Sequence, residues 1–562
     1  MAIANLSQLL RREARRWGPR VALRHKRDGL YHDISWTEYR RQADRAAAAL
    51  VDWGLEPGDR VGILAENRYE WLLADIAILA AGAIDVPMHA PLTAPQVQYQ
   101  LAHSGCRAVV VSNQSQADKV LASLGELPEL ELLICFDPFD SGEHPKLRQL
   151  SWDGLVQRGF AQQAGGFAEI VARESRIGRD DLATIIYTSG TTGHPKGVML
   201  THGNLLSNAE SMASLSAAGP DDVLLSWLPY SHIYARTVDH YLSILTGGTL
   251  ALAESLETVI VNLAETQPTM LTSVPRFYEK VWSNVEQLPA EHRRVALARL
   301  FGPRIRTLYS GAAPLPPHVC AGFFEAGIPL LEGYGLTESS PVISFNRPDA
   351  YKFGTVGQAI PGVEVKIADD GEILTRGPHV MRGYWRNDEA TAAVLNDGWL
   401  ATGDVGTLDD EGFLSITDRK KDLIITSLGK NVAPSELERL LCAEPLIDQS
   451  ILYGDGKPFI SAVVIPNLPA LEQAAAELGT KLELDSDGFI TSEPLRKLVG
   501  DRIDAVMQQV SNPERVKQFL LLGRPLKLEA EELTATLKVR RSHIIAKFRG
   551  QLDRLYEQQS GE

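Results

Sequence analysis

The sequence predicts an α/β protein: a large N-terminal domain of mostly parallel sheets flanked by helices, a β-rich subdomain, and a small α+β C-terminal domain. Three observations carry this. Between Asp181 and Gly335, short apolar runs alternate with longer mixed segments, the strand-then-helix rhythm of parallel architecture. From Val363 to Phe413 the composition shifts to Gly, Asp and short alternating runs, which suits a smaller β unit. A charged break, "DRKKD" at residues 418–422, then precedes a tail with its own periodicities. The 562 residues leave room for three or four cores at roughly 100–200 residues per domain. The boundary is placed at the break, giving domains 1–419 and 420–562.

The opening "MAIANLSQLLRREARRWGPR" reads as a short amphipathic helix packed on its own domain. It lacks the apolar stretch and cleavage site of a secretory signal, so a mature N-terminus is expected. The longest apolar stretch, Trp71 to Met88, is interrupted by Asp75 and Gly82 and ends at a proline; it reads as a buried helix plus a strand, not a membrane span. The runs "LATIIY", "DVLLSWL", "GTLALAE", "PTMLTSV", "IRTLYSG" and "IPLLEGYG" read as buried strands, and residues 204–214, 233–246 and 274–285 have helical length and spacing. Ligands of such sheets sit beyond the strands' carboxyl ends. In the tail, "IIT", a helix from Pro434, a hairpin around "GDGKP" and an amphipathic helix over Leu498–Val510 are expected.

The formal net charge of -15 argues against a generally basic surface for nucleic acid, leaving only a local funnel. Cys106, Cys135, Cys320 and Cys442 lie far apart with no CxxC pair, so neither a disulfide framework nor a zinc cluster is signalled and a reducing cytoplasm fits. No GxSxG or HExxH string is present, leaving serine hydrolase and metalloprotease readings without local support.

The stretch "IIYTSGTTGHPKGVMLTHGN", residues 185–204, concentrates the chemistry. Gly190, Gly193 and Gly197 let backbone approach a ligand; Thr188, Ser189, Thr191 and Thr192 add hydroxyl donors and Lys196 a cation. Phosphate oxygens suit this set. Pro195 and Gly197 stand where a Walker A loop needs Gly and Ser or Thr, so the loop is of another kind. Alone, it could be an ordinary strand-to-helix turn.

The complete string resembles the phosphate loop of the adenylate-forming superfamily, which includes acyl-CoA synthetases, and further motifs follow in that family's order over nearly the whole chain. "SGAAP" (310–314) resembles its adenine-side segment, "EGYGLTES" (332–339) its adenylate-binding motif, "TGD" (402–404) its ribose-binding aspartate, "DRKKDLIITSLGKNVAPSELE" its hinge region, and "LTATLKVRR" its late lysine. The resemblance implies these roles. Thr188, Ser189, Gly190, Thr191, Thr192, Gly193 and Lys196 hold the β- and γ-phosphates. Gly311, Ala312, Ala313, Pro314, Glu332, Gly333, Tyr334 and Gly335 surround the adenine, with Tyr334 stacking on it. Thr337 touches the α-phosphate and Glu338 binds Mg2+. Asp404, with Arg419 beside it, takes the ribose hydroxyls, and Lys538 bridges carboxylate and α-phosphate. His232 in "LPYSHIYAR" resembles the family's position at the carboxylate pocket, where it orients the carboxyl and gates the thiol. Lys421 matches the hinge, near 418–422, about which a mobile C-terminal lid turns, and Gly429 the thiol tunnel. Leu537 departs from the pattern, since many relatives place Gly before this lysine. Taken singly, Glu338 reads as a helix-start carboxylate, Asp404 as a turn residue and Lys538 as an exposed cation.

The implied reaction joins a fatty acid to ATP as acyl-AMP, releasing pyrophosphate, and then passes the acyl group to CoA. Residues 58–101 and 268–282 resemble long-chain acyl-CoA synthetases more than acetyl-CoA synthetases or amino-acid adenylation domains, so a long chain is expected. A cytoplasmic enzyme in transient contact with a membrane surface follows, because such substrates reside in membranes. The alternatives left open are a ligase that hands the acyl group to a carrier protein or other acceptor, a medium-chain or aryl carboxylate ligase, and, more remotely, a non-catalytic nucleotide or acyl sensor.

Overall fold

The computed structural model describes the chain except residues 1–2, 141, 143, 162–164, 189–194, 217, 421, 428–430, 529, 535–537 and 558–562. The chain divides into two compact units. One comprises Met1–Lys366, Leu374–Thr402 and Asp409–Leu414; the other comprises Ile367–Ile373, Gly403–Leu408 and Ser415–Glu562.

The first unit is built on two large sheets. One runs in the order Gly383–Tyr384, Lys196–Thr201, Leu182–Thr188, Ile84–Met88, Arg60–Leu64, Cys106–Val111, Leu132–Cys135 and Arg148–Ser151. It is parallel from Leu182–Thr188 to the Arg148 edge, and the two strands at the other edge are antiparallel. In the second sheet Leu330–Gly335, Thr307–Ser310, Met270–Ser273, Val223–Ser226, Thr249–Leu252 and Val21–Arg27 run parallel, with antiparallel strands at both edges. All six expected strands between 181 and 335 are present. Their apolar runs are continuous because both sheet faces are covered, as parallel sheets require.

The opening helix, Leu6–Trp17, is capped by Asn5, whose side chain accepts from the Gln8 N–H at 2.9 Å. Leu6, Leu9, Leu10 and Ala14 form its buried stripe, the spacing of an amphipathic helix. Trp71–Met88 folds as read: helix Tyr69–Ala80, buried on nearly every face, runs into strand Ile84–Met88. Among the described residues no helix is long and apolar enough to cross a membrane.

One element departs from its expected form. Residues 233–246, read as a single helix, comprise a short α-helical turn at Ile233–Ala235, a π-helical turn at Arg236–Tyr241 and a second α-helical turn at Leu242–Thr246. Within the wider turn Arg236, Asp239 and His240 are all buried, and each meets polar partners: Arg236 meets Asp75 and Asp85, Asp239 meets Ser226, and His240 meets Tyr39.

The stretch from Val363 to Phe413 carries the short strands its composition predicts, among them Glu364–Ile367, Glu372–Arg376 and Trp399–Leu408, strand Leu414–Arg419 follows it, and parts of it fall in each unit. The second unit centres on the hairpin Ile447–Tyr453 and Ile460–Pro466, joined in parallel by Val516–Leu521. Helices Pro434–Leu441 and Glu493–Met507 pack on this sheet's core. The last helix begins five residues before the expected start and buries Leu495, Val499, Ile503 and Met507, the i, i+4 stripe that faces a core.

Candidate active site

In the first unit the site grows from the strand pair Leu182–Thr188 and Lys196–Thr201, where Thr188 lies opposite Lys196. Ser189, Gly190, Thr191, Thr192 and Gly193 fall between them, outside the described residues. The base of this hairpin is gripped from both sides. The Tyr99 hydroxyl donates to the Pro195 carbonyl at 3.2 Å, and the Trp385 N–H to the Gly197 carbonyl at 2.7 Å. A Cβ on Gly197 would come within 2.8 Å of Ile185 Cγ2, so glycine permits the close packing.

The short strand Gly383–Tyr384 pairs with Met199 and Val198 and brings Tyr384 across to Lys196, whose Nζ sits 4.9 Å from the ring centre. The Tyr384 hydroxyl donates to Glu338 Oε1 at 2.9 Å. Burial, reinforced by the Glu338 charge, pushes the Tyr384 phenol well above its ordinary range, so it stays protonated and a donor. The expected phosphate lysine and the expected metal carboxylate are thereby joined through one residue.

His232, Gly311 and Glu338 follow the carboxyl ends of three strands of the second sheet, Val223–Ser226, Thr307–Ser310 and Leu330–Gly335, where open α/β sheets bind ligands. Gly311 touches Tyr234: a Cβ there would lie 2.9 Å from the ring. Ala312 adopts φ 74°, a left-handed turn that exposes Ala313 and Pro314. The Glu332 carboxylate accepts from the Leu315 N–H at 3.2 Å and from the Cys320 thiol at 3.6 Å, which ties this loop to the neighbouring strand. Gly333 faces Phe345, and Tyr334 is 9% exposed. Thr337 and Glu338 form a single 3-10 turn, held by the Met381 N–H on the Glu338 carbonyl at 2.8 Å and by buried Asn208, which donates to the Val342 carbonyl at 2.8 Å.

His232 is half-buried, and its Nδ1 accepts from the Tyr234 N–H at 3.2 Å, which places the proton of the neutral ring on Nε2. Its loop is clasped by residues that no motif pointed to. Asn67 donates to the Leu228 carbonyl at 2.7 Å and accepts from the Tyr230 N–H at 3.0 Å, while His89 Nδ1 meets the Ser231 hydroxyl at 2.6 Å. Burial lowers the His89 imidazole to about 4, so it is neutral at pH 7.

The second unit gathers the remaining residues. Arg419 Nε lies 3.1 Å from Asp404 Oδ1, and Asp404 is buried. Lys538 is bonded to Thr534, its N–H donating to Thr534 Oγ1 at 3.0 Å and its carbonyl accepting from the Thr534 N–H at 2.8 Å. Burial and the adjacent Arg419 lower its ammonium to about 8, opposed by Asp404. All three therefore share one electrostatic environment. Leu537, Lys421 and Gly429 lie outside the described residues. Beside Lys421, Lys420 bridges Asp370 at 2.6 Å and Glu372 at 2.8 Å, and Asp418 accepts from the Ser435 N–H and hydroxyl at the start of helix Pro434–Leu441.

Sequence reasoning missed Tyr384, Asn67, His89 and the pinning of Glu332. Only long-range contact gives them their roles, and the one local signal is the aromatic pair of "RGYWRN" inside an otherwise polar stretch.

A family model described as AMP-binding enzyme matches residues 10–385, and one described as AMP-binding enzyme C-terminal domain matches residues 421–560. The chain is 34% identical over 577 residues to the long-chain-fatty-acid–CoA ligase FadD15 of Mycobacterium bovis, an alignment covering 95% of this chain and 94% of that one. Among solved structures it is similar to the adenylation domain of a carboxylate reductase from Mycobacterium chelonae, with a TM-score of 0.81 at 23% identity over 98% of this chain and 91% of that one. It is also similar to ATP-bound MatB from Rhodopseudomonas palustris, with a TM-score of 0.74 at 26% identity over 97% and 99%.

Proposed function

The chain belongs to the AMP-binding enzyme family, and from that premise we infer that it is an AMP-forming ligase that joins a long-chain fatty acid to CoA. In the first step a carboxylate oxygen attacks the α-phosphorus of ATP and pyrophosphate leaves. In the second the CoA thiol attacks the acyl carbonyl and AMP leaves. The FadD15 relative supports the substrate class, and an apolar chain suits it physically, at about 0.8 kcal/mol per buried methylene. Because such acids reside in membranes, transient contact with a bilayer surface belongs to the same reading.

The first step brings two anions together, so its transition state needs fixed positive charge and donors. Lys196 and the hydroxyl loop that begins at Thr188 take the β- and γ-phosphates, and Thr337 takes the α-phosphate. Asp404 and Arg419 hold the ribose, and Lys538 places its ammonium between carboxylate and α-phosphate. His232 orients the carboxylate. Glu338 fits Mg2+: a single carboxylate, oriented by the Tyr384 hydroxyl on Oε1, suits a cation held by one or two carboxylates plus substrate phosphates. Among the described residues no cluster of three or more His, Cys, Asp or Glu would hold a metal unaided. Bound there, Mg2+ would neutralise part of the triphosphate charge. Adenylation and thiol attack make different demands on one site. We assign residues 420–562 as a lid that turns about Lys421 between the steps, with Gly429 beside the thiol's path.

The observation that carries this reading is the link from Lys196 through Tyr384 to Glu338, which unites two motifs roughly 140 residues apart. Fatty-acid-dependent exchange of pyrophosphate into ATP tests it. Lys196→Ala and Glu338→Gln are expected to abolish most of the exchange while leaving the melting midpoint near wild type; full exchange in both would remove the assignment. For the lid, Lys421→Pro is expected to keep exchange and slow acyl transfer to CoA, whereas equal loss of both steps would contradict it.

A further inference from the structure

We propose that Arg236 is a positioning residue for adenylation: clamped between Asp75 and Asp85, it fixes the turn that carries His232 against the strand that ends at Thr188. Arg236, Asp75 and Asp85 are all fully buried. Arg236 Nη1 donates to Thr184 Oγ1 at 2.9 Å, and Nη2 donates to Asp75 Oδ1 at 2.5 Å and to Asp85. The Tyr241 hydroxyl donates to the other Asp75 oxygen at 2.9 Å, and His240 Nδ1 lies 3.5 Å from that oxygen, while His240 Nε2 meets Tyr39 at 2.6 Å. Burial pushes both carboxyls up. Arg236 overrides it at Asp75, which stays below the usual range, while at Asp85 the Asp75 charge adds to burial and raises the carboxyl above it.

Its position points to the reaction. Asp85 and Thr184 are register partners on adjacent parallel strands, and Thr184 lies four residues before Thr188 on its strand. Arg236 lies four residues after His232 and opens the π-helical turn, a distortion that frequently marks functional sites. The other end of the His232 loop is tied to the same neighbourhood, because His89, which follows strand Ile84–Met88, bonds Ser231. The loop is thus pinned on either side of His232, as support for a precisely held site requires. Stability alone explains the cluster poorly, since buried ion pairs replaced by well-packed apolar groups often leave a fold as stable as before. What the guanidinium adds is a rigid fork with several fixed donors, which lysine lacks.

The inference rests on the adenylation reading, so wild-type exchange of pyrophosphate into ATP, dependent on a long-chain fatty acid, is established first; its absence would count against that reading and not against the cluster. The test compares Arg236→Met/Asp75→Leu/Asp85→Leu and Arg236→Lys with wild type, by melting midpoint and by kcat and KM for the fatty acid in the exchange assay. The triple variant is expected to melt near wild type yet lose about 100-fold in kcat/KM, the scale of an ångström of misplacement. Arg236→Lys is expected to fold and recover part of that loss, with kcat/KM down roughly tenfold. Activity within about threefold of wild type in a folded triple variant would overturn the proposal. If the triple variant does not fold, Arg236→Lys decides alone: unchanged kcat and KM would overturn it, and a kinetic loss without loss of melting midpoint would support it.

Discussion

Gly335 offers a sharp test of how the site is built. A Cβ at this position would lie 1.8 Å from the Pro341 carbonyl oxygen, 2.7 Å from its carbon and 3.1 Å from Val342 Cα. All three are backbone atoms, so no side chain can swing aside. To reach even a tight 3.0 Å contact, Gly335→Ala must push the two segments apart by about 1.2 Å. That breaks the Leu336 N–H to Pro341 carbonyl bond, now 3.2 Å, at a cost of about 0.5–1.5 kcal/mol, on top of about 1–3 kcal/mol for overpacking. The displaced backbone carries Thr337 and Glu338 two and three residues later, and misplacement by about an ångström costs on the order of 100-fold in rate. The expected outcome is a melting midpoint lower by a few degrees and fatty-acid-dependent pyrophosphate exchange reduced about 100-fold. Exchange within about threefold of wild type would refute the argument that close backbone approach is why this motif carries glycine.

Tyr384→Phe keeps the ring near Lys196 but removes the donor to Glu338; since a hydrogen bond to a charged group contributes about 1.5–3 kcal/mol, a rise of about tenfold or more in the Mg2+ concentration for half-maximal adenylation is expected, and an unchanged magnesium titration would detach Tyr384 from the metal assignment. Lys538, lowered to about 8, is expected to give adenylation kcat/KM that falls as pH rises through about 8, because the charged form does the bridging. Lys538→Arg should move that alkaline limb up by more than two units, whatever rate remains, given arginine's far higher pKa; a limb that stays in place would assign it to another group. Burial, partly opposed by Ser226 and Thr272, raises Asp239 to about 7. Its proton is retained in the fold and lost in the unfolded chain, so its contribution to stability is complete below about pH 4 and lost as pH rises to 7, by up to about 1.4 kcal/mol per unit. Asp239→Asn should flatten that slope in chemical denaturation; a slope equal to wild type would show that Asp239 ionises normally.

Much of the fold was legible because apolar runs such as "LATIIY" and "IRTLYSG" have only one comfortable home, a strand covered on both faces. The ordered motifs likewise singled out Lys196, Glu338, Asp404 and Lys538 as candidates, and the structure links Lys196 to Glu338 through Tyr384 and sets Arg419 against Asp404. The π-helical turn was not legible, since widening a helix by one residue leaves its apolar spacing nearly unchanged. Asp75 read only as an interruption in an apolar helix, and nothing local says that a cation from residue 236 meets it. Tyr384 shows the same limit: its role depends on pairing with Val198, a contact that no window of neighbouring residues contains. Gly335 was recognised as part of a motif, but the Pro341 carbonyl that demands glycine there is visible only once the strand Leu330–Gly335 and its antiparallel partner are aligned.

The most direct measurement is a product balance: purified protein with a long-chain fatty acid, ATP, Mg2+ and CoA, analysed by phosphorus NMR for nucleotides and by mass spectrometry for thioester. Equal amounts of AMP, pyrophosphate and acyl-CoA are predicted, with none formed when the fatty acid is omitted. ADP as the nucleotide product, or AMP released without any thioester, would contradict the account.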